Sequence, residues 1–98
     1  LRITKQEKDC LIHASCQSFG NNAEIWLFGS RVDDTKQGGD IDLYIETDLE
    51  TGTVAAKLEM QKLLWSVFGD QKIDILVRSR NRKASPMHEI AKSSGKKL

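Results

Sequence analysis

Two stretches of this chain hold residue types that can do chemistry together. Phe28-Gly29-Ser30 closes an apolar run with a small turn, and after nine residues, Arg31 to Gly39, comes Asp40-Ile41-Asp42-Leu43. A glycine lets backbone N–H groups approach phosphate oxygens closely. A serine hydroxyl and the N–H groups of a helix start can then hold those oxygens, and Arg31 can add a charge-assisted contact. Two carboxylates at i and i+2 of a strand project from one face about 6.5–7 Å apart. A third, Asp74, stands in Ile73-Asp74-Ile75; in a parallel neighbour roughly 4.8 Å away it completes a three-carboxylate cluster. Carboxylates so placed repel one another. A hard divalent cation, Mg2+ or Mn2+, relieves them, and two such ions about 3.5–4 Å apart serve an in-line phosphoryl displacement. Alone, Asp-x-Asp is more often the solvated face of a sheet and Gly-Ser more often a plain turn. Their combination carries the reading.

The elements that must position these residues follow from the apolar pattern. Thr4 and Glu7 form a capping box for a helix at about 5–18, with Leu11, Ile12, Ala14 and Cys16 as its stripe and Gly20 as its stop. Ala23 to Phe28, apolar on both faces, reads as a central buried strand. Arg31 to Gly39 reads as a polar turn, with one helical turn starting at Ser30. From Asp40 to Glu46 the alternation is clean: Ile41, Leu43 and Ile45 face one way, Asp40, Asp42 and Tyr44 the other. Thr51 to Phe68 reads as a helix with Val54, Ala55, Leu58, Leu64, Trp65 and Phe68 on one side. Lys72 to Val77 gives a third strand, and Ser85-Pro86 opens a last helix running to Ser94, after which the chain is expected to fray. A crossover helix favours a parallel strand pair and a short turn an antiparallel one. The expected fold is therefore α/β of the α+β type, a small mixed sheet in the order α-β-turn-β-α-β-α.

Composition narrows the class. At 98 residues the chain is expected to be a single domain, 1–98, with part of its substrate recognition supplied by another chain. It is 39% hydrophobic and 30% charged, ordinary for a globular protein. No apolar run approaches the roughly 20 residues of a membrane span, and Leu1-Arg2-Ile3-Thr4-Lys5 is no signal peptide. Cys10 and Cys16, on one helix, read as buried free thiols, which points to a reducing cytoplasm. His13 and His88 lack partners at a ligand spacing and read as structural or surface residues. Trp26 and Trp65 read as core, and Tyr44 as a packing residue or a flank of the nucleotide. Residues 1–70 carry 7 basic and 12 acidic side chains, residues 71–98 carry 8 and 2. The basic end reads as solvated surface ahead of an acidic protein partner or nucleic acid.

The pattern hydrophobic-Gly-Ser, a short spacer, then Asp-hydrophobic-Asp-hydrophobic resembles that of the DNA polymerase β-like nucleotidyltransferase superfamily. Chain length and the Gly-Ser-Arg form resemble its minimal nucleotidyltransferases, the MNT family. The resemblance spans Ala23 to Val77. It implies a nucleotidyltransferase fold in which Asp40 and Asp42 bind two Mg2+ ions, with Mn2+ as a substitute. Asp74 is then the third carboxylate, the general base or its metal-linked equivalent, and Gly29 and Ser30 hold the nucleoside triphosphate. It further implies transfer of AMP from ATP to a tyrosine of a helical HEPN-type partner, the chain acting as antitoxin in a hetero-complex. The sequence departs from the family at Asp33 and Asp34, where a basic residue and a glycine are common, and at Gly39, where a serine is common. Two rivals stay open: a module that binds and neutralises a helical partner without turnover, and a small-molecule transferase of the antibiotic-modifying kind, which usually carries an extra domain.

Overall fold

Thr4 starts the fold as its sequence predicts. Its hydroxyl accepts the Glu7 N–H at 3.0 Å, and the Glu7 carboxylate accepts the Thr4 N–H at 2.8 Å, satisfying two donors that a helix start leaves bare. Helix α1 runs Lys5–Phe19 and ends at Gly20. The computed structural model, which describes residues 3–32 and 40–98, continues with β1 (Glu24–Phe28), a 3-10 turn (Gly29–Val32), β2 (Ile41–Thr47), α2 (Thr53–Phe68), β3 (Ile73–Ser79), α3 (Pro86–Ser94) and β4 (Lys96–Lys97). Beyond Val32, the expected polar turn, with Asp33, Asp34 and Gly39, lies outside the described residues. No helix among them is long and apolar enough to cross a membrane.

The strands form one sheet in the order β3-β2-β1-β4. β1 and β2 pair antiparallel, β2 and β3 parallel, as the turn and crossover lengths require. One face is the main core: Ile25, Leu27, Ile41, Leu43, Ile45 and Ile75 meet Leu11, Ala14 and Phe19 of α1 and Ala56, Met60, Leu64 and Phe68 of α2. Fully burying side chains of this kind stabilises by about 1.5–3 kcal/mol each. The register lays the other face out in three rows across β1, β2 and β3: Phe28, Asp42, Asp74; then Trp26, Tyr44, Leu76; then Glu24, Glu46, Arg78.

The middle row is the second, smaller core. Trp26 and Tyr44 pack with Ala91 of α3, their rings 5.3 Å apart. Tyr44 is therefore a packing residue. α3 is fixed at its start, where the Ser85 N–H donates to His88 Nδ1 at 3.0 Å and the His88 N–H donates to Ser85 Oγ at 3.2 Å. The His88 ring lies 5.7 Å from that of Tyr44, so His88 is structural, while His13 is exposed.

Several expectations need correction. The inward side of α2 is the i, i+4 line Ala56, Met60, Leu64, Phe68, not the one through Val54, Ala55, Leu58 and Trp65. Both lines are apolar, and docking on the sheet and α1 decides between them. Trp65 is 62% exposed, Val54 and Leu58 likewise exposed, so Trp65 is not core. Cys10 and Cys16 are free but only half-buried; burial pushes the Cys10 thiol up. β3 extends beyond Val77 to pair Arg78 with Glu46 and Ser79 with Thr47. The chain after Gly95 does not fray: Lys96 and Lys97 pair with Leu27 and Trp26, and the Leu98 N–H donates to the Ile25 carbonyl at 2.9 Å.

The third row also corrects the reading of the basic end as merely solvated. Glu46 is 4% exposed. It accepts from the Tyr44 hydroxyl at 2.7 Å and pairs with Lys92 at 3.1 Å and Arg78 at 3.4 Å. Arg80 bridges Glu24 and Asp48, each at 2.9 Å, and Lys97 pairs with Glu24. Burial alone would raise the Glu46 carboxyl; the Tyr44 hydroxyl, Lys92 and Arg78 outweigh it and hold it below its usual 4.5. Burial, then the Glu46 bond, pushes the Tyr44 hydroxyl up to about 12. Lys97 and Arg80 likewise hold the Glu24 carboxyl below 4.5 against a burial penalty. Carboxylates with lowered native values bind fewer protons folded than unfolded, so their contribution is complete above pH 4.5 and lost as pH falls through the lowered values. Glu46→Gln should cost about 1–3 kcal/mol at pH 7 and flatten the acid limb of a Tm-against-pH curve below 4.5. An acid limb unchanged in the variant would contradict this account.

Candidate active site

The first row, Phe28, Asp42 and Asp74, is where the sheet face stays open. The parallel register sets Asp42 directly opposite Asp74, on the parallel pairing expected from the crossover helix. Asp40 lies one residue before β2. The Ile41 N–H donates to the Lys72 carbonyl at 3.1 Å, so the pairing brings Asp40 and Lys72 to the same end of the sheet. The Lys72 ammonium sits 3.8 Å from Asp40 Oδ2 and 3.9 Å from Asp74 Oδ2.

Gly29 backs onto this row. Its φ is +76°, and a Cβ placed on it would lie 2.3 Å from Asp42 Oδ2. Only glycine meets both demands, the left-handed backbone and the close approach. The 3-10 turn Gly29–Val32, which contains Ser30 and Arg31, therefore begins against the Asp42 carboxylate. The helical turn expected after Phe28 is present, beginning one residue earlier than Ser30.

Burial raises the Asp42 carboxyl above its usual 3.8, Asp74 and Asp40 push it further, and Lys72 pulls the other way. Asp42 thus senses its two acidic neighbours, yet among the described residues no three acidic, His or Cys side chains close on a single point as a ready metal cage. The donor set is nonetheless all hard oxygen, which suits Mg2+ or Mn2+. The ammonium between Asp40 and Asp74 marks where positive charge is wanted. The residues fit such an ion in chemistry.

A cleft of about 320 Å³ opens over the row, lined by Asp42, Asp74, Phe28, Leu76, Met87 and Lys57. Other hollows, of about 160 and 420 Å³ at Trp65 and of about 440 Å³ lined by Arg78, Arg82 and Lys83, include none of these carboxylates. Neither Lys57 nor Lys72 is among the candidates read from the sequence. Lys72 was findable, two residues before Asp74 and so on its face. Lys57 was not, since its placement depends on the rotation of α2.

Residues 10–97 match the family model described as Nucleotidyltransferase domain. A search of curated proteins gave no significant match.

Two substitutions test the site's construction. Gly29→Ala should cost about 2 kcal/mol in denaturant unfolding, because the methyl group must displace Asp42. Asp42→Asn should raise Tm at pH 7. A carboxyl with a raised native value binds protons more readily folded than unfolded, so its charge costs stability at neutral pH, and that cost fades as pH falls toward 3.8. A Tm lowered at pH 7 by Asp42→Asn would show that the carboxylate is held by attraction rather than disfavoured by burial and its acidic neighbours.

Proposed function

Since the chain belongs to the nucleotidyltransferase domain family, we propose that it transfers a nucleoside monophosphate, AMP from ATP, to a hydroxyl acceptor, with pyrophosphate leaving. The observation that carries this reading is Asp42 in register with Asp74 and backed by the Gly29 turn, inside the residues that match the family.

In this reading Asp40, Asp42 and Asp74 hold divalent metal, two Mg2+ ions or Mn2+ in their place, which when bound supplies Lewis-acid stabilisation of the phosphoryl oxygens and of the nucleophile. The chain's own groups do the rest. Backbone N–H groups of the Gly29–Ser30 turn bind the outer phosphates, where Gly29 leaves room for them. Arg31 adds charge on that side. Asp74, on the edge strand, takes the proton of the incoming hydroxyl.

The acceptor we favour is a tyrosine hydroxyl of a helical HEPN-type partner, the chain acting as antitoxin; the likeness of its motif to the MNT family supports this. A nucleic-acid acceptor draws less support, because Arg78, Arg80, Lys92 and Lys97 are engaged with Glu24, Glu46 and Asp48. One observation favours a second reading, a binding module without turnover: the Lys72 ammonium lies between Asp40 and Asp74. Calorimetry separates the two, since a non-catalytic module binds a helical partner and ignores Mg-ATP.

With labelled ATP, Mg2+ and the partner protein, the chain should produce labelled partner. Asp42→Asn and Asp74→Asn should each lower the rate by roughly 10²–10⁴ while remaining folded. Removal of metal by EDTA should abolish transfer, and Mg2+ should restore it. Equal labelling by wild type and Asp42→Asn would sink the proposal.

A further inference from the structure

A hollow of about 440 Å³ lies toward the other end of β3 from the carboxylate row. It is larger than the cleft of about 320 Å³ over Asp42 and Asp74, and it falls in the range of about 300–1,000 Å³ usual for ligand sites. Its wall comes from the start of α2, the end of β3 and the turn that leads to α3. Arg78 on this wall stands four residues beyond Asp74, about 13 Å along a strand.

The wall is rich in donors. Arg82 and Lys83 border the hollow, are exposed, and form no ion pair among the described residues. In this they differ from Arg78, Arg80, Lys92 and Lys97, each of which is answered by a carboxylate. Glu50 also borders the hollow, and it pairs with neither of them. The turn that carries the two cations is held in place. The Arg80 N–H donates to the Thr47 carbonyl and the Arg82 N–H to the Ser79 carbonyl, each at 2.9 Å. Arg78 Nε donates to the Arg82 carbonyl at 3.2 Å.

His88 faces these cations from α3. Its Nδ1 accepts the Ser85 N–H at 3.0 Å, so the proton of the neutral ring is on Nε2. That second N–H has no partner among the described residues. Thr51, Thr53 and Ser79 bring hydroxyls to the wall, and Val77 is its apolar side chain. Fixed donors with so little apolar surface suit a compact ligand that carries several oxygens and negative charge. Guanidinium and ammonium groups meet phosphoryl oxygens through charge-assisted hydrogen bonds. Donors on two sides of a hollow this size, the turn on one and the starts of α2 and α3 on the other, call for more than one phosphoryl group.

We propose that this hollow is a second anion site, independent of metal, which takes a diphosphate group on Arg82, Lys83 and the His88 Nε2–H. The group can come as free pyrophosphate or as the tail of a nucleoside diphosphate, since both offer the same oxygens. The site does not depend on the nucleotidyltransferase reading, because it uses none of Asp40, Asp42, Asp74 or the Gly29 turn.

The test uses the full chain in EDTA, which keeps divalent metal from the carboxylate row. Pyrophosphate, ADP and AMP are titrated in turn, with affinity from calorimetry and location from backbone amide shifts in NMR spectra. Wild type should bind pyrophosphate, with shifts at Thr53, Ser79, Lys83 and His88 and none at Gly29 or Ser30. Arg82→Gln combined with Lys83→Gln should weaken binding at least roughly tenfold, the scale of one lost charge-assisted bond, with Tm unchanged. Arg82→Lys combined with Lys83→Arg, which keeps both charges, should retain most of the affinity. ADP that binds as tightly as pyrophosphate supports the site with a nucleotide tail as its ligand. ADP that is excluded supports it with the free ion alone. No pyrophosphate binding in EDTA, shifts centred on Gly29, or equal affinity in the double glutamine variant overturns the proposal. So does AMP binding tighter than pyrophosphate, because the base would then be the group recognised.

Discussion

β2 lies between an antiparallel and a parallel neighbour, and the register it keeps with each decides which side chains reach which face. Side chains along a strand alternate with a period of two, so a slip of one residue would exchange the faces. Ile41, Leu43 and Ile45 would turn outward, and Asp42 would enter a core made of Leu11, Phe19, Met60 and Leu64. A carboxylate there would be ruinously desolvated. The hydrophobic demand of one face thus fixes the carboxylate geometry of the other. Asp42 and Asp74 share the open face because Ile41, Leu43 and Ile75 must be buried, and the register then sets the two opposite each other.

The open face then handles charge differently in each row. The row with Glu24, Glu46 and Arg78 is neutralised by cations drawn from β3, α3 and β4. The row with Trp26, Tyr44 and Leu76 carries no formal charge and is covered by α3. The row with Asp42 and Asp74 keeps like charges together; among the described residues the Lys72 pairs that relieve them are distant and well solvated and worth little in water. One sheet face is neutralised at one end and keeps a partly buried carboxylate among like charges at the other. The cations that answer Glu46 and Glu24 also tie α3 and β4 to the sheet.

Much of this was legible in the sequence, for identifiable reasons. Thr4 and Glu7 announce a helix start because capping is local chemistry. Ser85-Pro86 does the same for α3. The alternation from Ile41 to Ile45 names both faces of β2, and the lengths of its two connections distinguish antiparallel from parallel neighbours. What failed was whatever needed tertiary docking. α2 carries two apolar lines of similar strength, and nothing local says that Met60 faces in and Trp65 out. Lys57 was unreadable as a cleft residue for the same reason. The basic end was misread because its partners, Glu24, Glu46 and Asp48, lie far away along the chain. The residues at Asp33 and Asp34 bear on the site by position in the sequence alone.

β4 is two residues long and consists of two lysines. It lies on the outer side of β1, a strand whose side chains are apolar on both faces from Ile25 to Phe28. Gly95 makes room for the approach, since a Cβ there would sit 2.6 Å from the Ala91 carbonyl and 2.9 Å from the Leu27 carbonyl. Left uncovered, β1 would present an apolar edge of unpaired backbone groups, the kind of template on which a second sheet can grow. A short, doubly charged last strand offers a poor surface for such growth. At Gly95 the carbonyls of Ala91 and Leu27 leave no room for a side chain, so the cover that β4 lays over β1 depends on that glycine.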